Sequence, residues 1–63
     1  MDHERLLLRP AETAEAIGVS RSRAYELIAA GEIPSIKIGA SVRVPIAALR
    51  AWIDRQIAAQ HRA

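Results

Sequence analysis

The sequence predicts a single domain that is mainly α-helical and carries one small β-hairpin. Three observations indicate this fold class. The chain has 63 residues, enough for one small hydrophobic core. Apolar residues recur at helical spacing in three segments, each beginning at a proline or a serine. Between the second and third segments, apolar and polar residues alternate as they do in half-buried strands. We therefore expect residues 1–63 to form one domain without repeats or linkers.

Composition and charge narrow the classes of function. The sequence has no cysteine, which excludes a disulfide framework and a thiolate metal site. No apolar run approaches the roughly 18–20 residues of a membrane span, and no signal peptide pattern opens the chain. Eight of the nine basic residues are Arg, which suits bidentate contacts with phosphate and guanine. GC-rich codons would also favour Arg, so the positions of the arginines must decide between these explanations.

The first helix is predicted over about residues 10–17. Pro10 suits the first turn of a helix, and Gly18 is a natural C-terminal stop. Arg9 is a poor N-cap, because Ser, Thr or Asp is preferred at that position. Residues 6–8 are expected to form a short extended lead-in that packs on the core.

The second helix is predicted from Arg21 to about Ala30. Ser20 is a good N-cap, and Gly31 ends the helix. Its buried stripe consists of Ala24, Leu27 and Ile28. Only residues 18–20 separate it from the first helix, and a three-residue turn with glycine between two short helices is typical of a helix-turn-helix.

The alternating segment predicts a hairpin with residues 39–41 as a three-residue loop. Its apolar residues are Ile36, Ile38, Val42 and Val44. If all four share one face, the symmetrical register pairs the first with the last and the second with the third. Lys37 then lies directly opposite Arg43, an arrangement that destabilises a sheet unless a polyanion rests on the two cations.

A third helix is predicted over about residues 45–60, with Pro45 in its first turn. Its apolar stripe consists of Ile46, Leu49, Trp52, Ile53 and Ile57. We interpret Trp52 as a core anchor of the small domain rather than as a ring that stacks on a ligand.

The sequence contains no pattern that indicates an enzyme. Its two histidines, His3 and His61, lie near the chain ends without a second ligand at metal-binding spacing. The acidic residues are scattered rather than paired, and no glycine-rich phosphate loop is present. We therefore expect no catalytic residue, no metal site, no cofactor and no small-molecule ligand.

The start of the second helix is the best candidate for a functional site. In a helix-turn-helix, this end of the second helix lies against base edges in the major groove of double-stranded DNA. Arg can grip guanine with two hydrogen bonds, and serines can reach bases or phosphates. The alternative is a solvated face on which Ser20 is only a cap. The predicted DNA contacts are Ser20, Arg21, Ser22, Arg23 and Tyr25 in the helix and Lys37, Ser41 and Arg43 in the hairpin.

The sequence of residues 6–53 resembles the small winged helix-turn-helix proteins of the excisionase and MerR-like superfamily. The matching motifs are Gly18-Val19-Ser20-Arg21, Tyr25, Gly31-Glu32-Ile33-Pro34, Ile38-Gly39 and Arg43-Val44-Pro45, in the family's order and spacing. The resemblance implies that the helix Arg21–Ala30 enters the major groove. It also implies that the hairpin Ile36–Val44 is a wing that lies along the backbone or the minor groove.

Three positions depart from the family pattern. Ala40 and Val42 stand in the hairpin where such proteins often have Arg, and Arg9 replaces the usual Thr or Ser cap. The first two departures imply weaker contact by the wing tip and give more weight to Lys37 and Arg43.

Proteins of this type do two jobs. Excisionases bind near the attachment site of a phage or integrative element, bend the DNA and assist an integrase in excision. AlpA-like and MerR-like proteins regulate transcription, and the MerR type normally continues into a dimerisation helix and an effector domain, which we do not expect here. We expect an excisionase of the bacterial cytoplasm, associated with the nucleoid, that self-associates cooperatively on DNA and contacts no membrane. A transcription regulator is the alternative, followed by a protein-only adaptor that docks a partner helix near Trp52 and Ile57.

Overall fold

A computed structural model describes residues 5–62 and contains, within them, three helices and three strands. In chain order these are β1 (Leu7–Leu8), α1 (Pro10–Ile17), α2 (Arg21–Ala29), β2 (Ile36–Ile38), β3 (Ser41–Pro45) and α3 (Ile46–Gln60). The predicted fold class, mainly α with a small hairpin, is confirmed, and each helix begins and ends within one residue of its predicted bounds. No helix among residues 5–62 is long and apolar enough to cross a membrane. His3 lies outside the described residues.

The start of α1 is held by its neighbours rather than by a capping side chain. Arg9 makes no side-chain cap, as its residue type predicts. The carboxylate of Glu12 compensates by accepting a hydrogen bond from the backbone N–H of Arg9 at 2.9 Å. The hydroxyl of Thr13, which is fully buried, donates to the Arg9 carbonyl oxygen at 3.0 Å. These contacts fix the entry of the chain into the helix-turn-helix.

The hydrophobic core is small and lies between the helices and the sheet. Its buried cluster consists of Leu27, Ile33, Val44 and Leu49, with Leu8, Ile17, Ile28 and Trp52 packed around it. Ile33 and Val44 are fully buried and form its centre. Trp52 is only half-buried at the edge, so it packs on the core without anchoring its centre. Burying one such aliphatic side chain contributes about 1.5–3 kcal/mol to folding.

The segment before α1 forms β1, which is an edge strand of a three-stranded antiparallel sheet with the order β1-β3-β2. Leu7 pairs with Pro45 and Leu8 with Val44. The backbone N–H of Ile46 then donates to the carbonyl oxygen of Leu6 at 2.9 Å. The prediction of an extended segment is therefore right for the backbone, but the side chain of Leu6 is 74% exposed and does not pack on the core.

The register of the hairpin differs from the predicted one by a residue. Ile38 pairs with Ser41, Lys37 with Val42 and Ile36 with Arg43, so the loop contains only two residues, Gly39 and Ala40. Gly39 has a φ of +62°, whereas Ala40 does not have a positive φ. That combination is typical of a type II′ turn, which fits the twist of a two-residue hairpin. The predicted three-residue loop was wrong because it took Ser41 out of β3.

The shift moves side chains to opposite faces of the sheet. Residues that pair directly across two strands lie on the same face. Val44 therefore points into the core, whereas Ile36 and Ile38 lie on the outer face with Arg43 and are 45% and 55% exposed. Lys37 faces Val42 and not Arg43, so the predicted opposition of two cations does not exist. The prediction that all four apolar residues share one face was wrong for the same reason.

Candidate nucleic-acid interface

The turn between α1 and α2 sets how α2 is presented to solvent. Gly18 adopts a left-handed conformation with φ +73°, and the backbone N–H of Val19 bonds to the carbonyl oxygen of Ala14 at 3.0 Å. The hydroxyl of Ser20 accepts a hydrogen bond from the backbone N–H of Arg23 at 3.1 Å. Ser20 therefore does act as the N-cap of α2, and its hydroxyl hydrogen can still be donated to a phosphate. The first turn of α2 is fixed at the surface as a result.

Burial of one stripe of α2 decides which side chains face outward. Ala24 is fully buried and Leu27 is 7% exposed, so the residues on the other side of the helix face solvent. At 100° per residue, Ser22 and Glu26 lie at the centre of this exposed face. Arg21 and Tyr25, four residues apart, lie on one flank of it, and Arg23 lies on the other. All five helix residues predicted to contact DNA are therefore exposed near the start of α2.

An ion pair ties Arg23 to a residue that the sequence did not single out. The guanidinium of Arg23 donates to a carboxylate oxygen of Glu26 at 3.1 Å, and both side chains are more than half exposed. Such a pair contributes only about 0.2–0.5 kcal/mol to the helix, so its arginine is easily released to a ligand. Glu26 itself can accept a hydrogen bond from N4 of cytosine. Its spacing from Arg23 and its position opposite the buried stripe are the sequence signals that could have identified it.

The three predicted wing contacts do not lie together. We use the name wing for the hairpin of β2 and β3. Ser41 and Arg43 are on its outer face, and Lys37 is on the other face beside Val42. Arg43 is half-buried, and its guanidinium donates to the carbonyl oxygen of Val42 at 2.8 Å. Of the three, Lys37 and Ser41 are exposed near the tip, whereas Arg43 is held at the base of the wing.

Arg43 belongs to a cluster of arginines that the sequence did not predict. A shallow cleft of about 510 Å³ lies between β1, the start of α1 and β3. Its lining residues are Arg5, Leu6, Leu7, Arg9, Glu12 and Arg43, and we call it the arginine cleft. Arg5 and Arg9 lie close together in the sequence, but Arg43 comes from β3, so only the pairing of β1 with β3 could have shown that the three meet.

Glu12 is the one acidic residue that lines the arginine cleft. Its carboxylate forms an ion pair with the guanidinium of Arg5 and accepts the backbone N–H of Arg9. The hydrogen bond from the Arg9 backbone, followed by that from the Arg5 side chain, lowers the pKa of Glu12 below its usual value. Glu12 is therefore ionised at neutral pH and orders the cleft.

A second concave surface lies between the helix-turn-helix and α3. It is a groove of about 400 Å³ whose lining includes Ile17, Val19, Trp52, Ile53 and Ile57. Ile57 is 56% exposed, so the outer half of α3 presents its apolar stripe to solvent. This is the stripe on which an adaptor would dock a partner. Among residues 5–62 there is no group of three or more His, Cys, Asp or Glu side chains that could hold a metal ion.

Comparison with known proteins agrees with this geometry. The sequence profile of the helix-turn-helix domain family matches residues 7–57, which covers both helices of the motif, the wing and most of α3. A probable excisionase from Saccharopolyspora erythraea is 41% identical over 59 residues, which are 94% of this chain and 60% of the relative. The chain thus spans less than two thirds of the length of that relative. No solved structure matches significantly. The chain belongs to the helix-turn-helix domain family, with the fold of a small winged helix-turn-helix DNA-binding domain.

Proposed function

We propose that this protein is an excisionase: it binds DNA near an attachment site, bends it and helps an integrase to excise the element. DNA binding is supported mainly by the exposed first turn of α2, which presents serines and arginines while the other side of the helix is buried in the core. The likeness to a probable excisionase over almost the whole chain supports the recombination part. The protein acts without catalysis of its own, in the bacterial cytoplasm on the nucleoid.

In this proposal, α2 reads bases and the wing contacts the backbone. Ser22 and Glu26 face the floor of the major groove, and Arg23 reads a guanine once Glu26 releases it. Arg21 and Tyr25 flank them toward the groove wall. Lys37 and Ser41 contact phosphates from the wing, which positions the module without reading sequence.

A module of this size needs help to occupy its site. Single DNA-binding modules bury only about 600–1,000 Å² of protein surface. We therefore infer that useful occupancy comes from several copies bound cooperatively to adjacent sites, and that an integrase bound nearby adds further contacts. Bending would follow from several modules on one face of the duplex.

An excision assay with a candidate integrase from the same genome tests the proposal. A plasmid carrying both attachment sites is incubated with integrase, with and without the protein, and excised circles are counted. The protein should raise excision clearly above the level seen with integrase alone, and the Arg21→Ala/Arg23→Ala double variant should not, because it lacks both arginines of α2. A matched control, Arg55→Ala, removes one charge from the exposed side of α3 and should retain activity.

Other results of the same experiments would point to another function. Sequence-specific binding without any effect on excision would favour the transcription regulator. If the protein binds no duplex even at low salt, the proposal fails, and the apolar groove beside Trp52 would make the adaptor the better explanation.

A further inference from the structure

The arginine cleft carries more positive charge than its own residues neutralise. Three guanidinium groups line it and face a single carboxylate, that of Glu12, which Arg5 already pairs with. Among the described residues, no carboxylate pairs with Arg9 or Arg43. The positive end of the α1 dipole adds to the same potential. The cleft is therefore electropositive and open to solvent.

The position of Arg9 indicates that this charge has a use. At the residue before α1, Ser, Thr or Asp would cap the helix with its side chain, and Arg does not. With Arg at this position α1 lacks that side-chain bond. The side chain of Arg9 instead lines the same cleft as that of Arg43 from β3. Arg43 is also held in place by its bond to the Val42 carbonyl oxygen, so its remaining N–H groups are oriented before a ligand arrives.

We infer that the arginine cleft binds a backbone phosphate of DNA, separate from the groove that α2 reads. This inference rests on the proposed DNA binding. In a helix-turn-helix the first helix crosses the DNA backbone, and Arg9 stands at the start of that helix. Arginine forks bind phosphate oxygens with two parallel hydrogen bonds, which suits a site built from guanidinium groups. The bound phosphate lies between Arg9 and Arg43, while Arg5 remains paired with Glu12.

Two substitutions at one position separate this role from a structural one. Arg9→Ala removes the charge, and Arg9→Thr removes it while supplying the missing cap. Arg9→Thr should therefore melt at a higher temperature than the wild type and still bind DNA more weakly. If Arg9 acted in folding alone, the more stable Arg9→Thr variant would bind DNA at least as tightly as the wild type. Arg55→Ala is the matched control for the loss of one positive charge.

Binding is measured on a selected duplex and on a scrambled duplex at several salt concentrations. Each lost phosphate contact should make the slope of log K against log salt shallower by about 0.9. Between about 50 and 200 mM salt, the deficit of either Arg9 variant relative to the wild type should thus shrink by about threefold. The deficit should be equal on both duplexes, because a phosphate carries no sequence information.

The outcomes are distinct. An unchanged salt slope for both Arg9 variants, with wild-type binding intact, overturns the phosphate site and leaves the proposed function standing. Unaltered DNA binding combined with a loss of integrase-dependent excision also overturns it, since the cleft would then hold an acidic segment of a protein. If the wild type itself binds no duplex, the proposed function fails first.

Discussion

The substitutions Val44→Ala and Ile38→Ala test which face of the wing is buried. Val44 is fully buried, and its truncation removes two methyl groups at about 0.8 kcal/mol each and leaves a cavity besides. We expect Val44→Ala to lower the free energy of unfolding by about 2–3 kcal/mol in total. Ile38 is 55% exposed, so Ile38→Ala should cost less than about 1 kcal/mol although more atoms are removed.

Thermal unfolding followed by circular dichroism distinguishes the two. For a domain of this size, 1 kcal/mol corresponds to about 4–8 °C in Tm. Val44→Ala should thus melt on the order of 10–20 °C below the wild type, and Ile38→Ala only a few degrees below it. In the symmetrical register Ile38 would be a core residue, and its truncation would cost about 2–5 kcal/mol. Equal losses for the two variants would refute the observed register and the assignment of the outer face.

Three further predictions concern charge. Arg23→Ala should cost about 1–3 kcal/mol of discrimination at one base position in competition gel shifts, while Tm hardly changes because its ion pair with Glu26 is exposed. Lys37→Ala should weaken binding to all duplexes alike and make the salt slope shallower by about 0.9. Tm should not rise, because Lys37 faces Val42 rather than another cation. A rise in Tm would contradict that register. Glu12→Gln should lower Tm at pH 7, and the difference should vanish as the pH falls below about 4. The sign follows from linkage: the pKa of Glu12 is lowered by folding, so its ionised form stabilises the fold above its unfolded pKa and this contribution is lost in acid. A difference that persists in acid would mean that Glu12 acts by packing.

The helices could be predicted from the sequence because their ends are marked by single residues with local effects. Pro10 and Pro45 fit helix starts, Ser20 is a cap whose bond needs only its own helix, and Gly18 takes a left-handed φ. None of these signals depends on a distant part of the chain. The exposed face of α2 followed from the same local information, because its apolar stripe fixes which side is buried.

The sheet was harder to predict because its register depends on one residue in the turn. With Gly39, Ala40 and Ser41 in succession, loops of two and three residues are both plausible, and the choice moves every side chain of β2 to the other face of the sheet relative to β3. The pairing of Leu8 with Val44 shows which face of β3 is buried, but it leaves the face of β2 to the turn. The arginine cleft was missed because it exists only where β1 meets β3, and these strands are far apart in the chain.

The central position of β3 in the sheet has a consequence for the order of assembly. The contacts within the helix-turn-helix and within the wing each close over short stretches of chain, so their loop-closure cost is low. The pairing of Leu7 with Pro45 closes a loop over most of the domain and therefore has the higher loop-closure cost. We therefore expect the N-terminal strand to dock last. Until it does, the base of the wing and the entry to α1 are not yet fixed relative to each other, so the last folding step is also the one that completes the anion site.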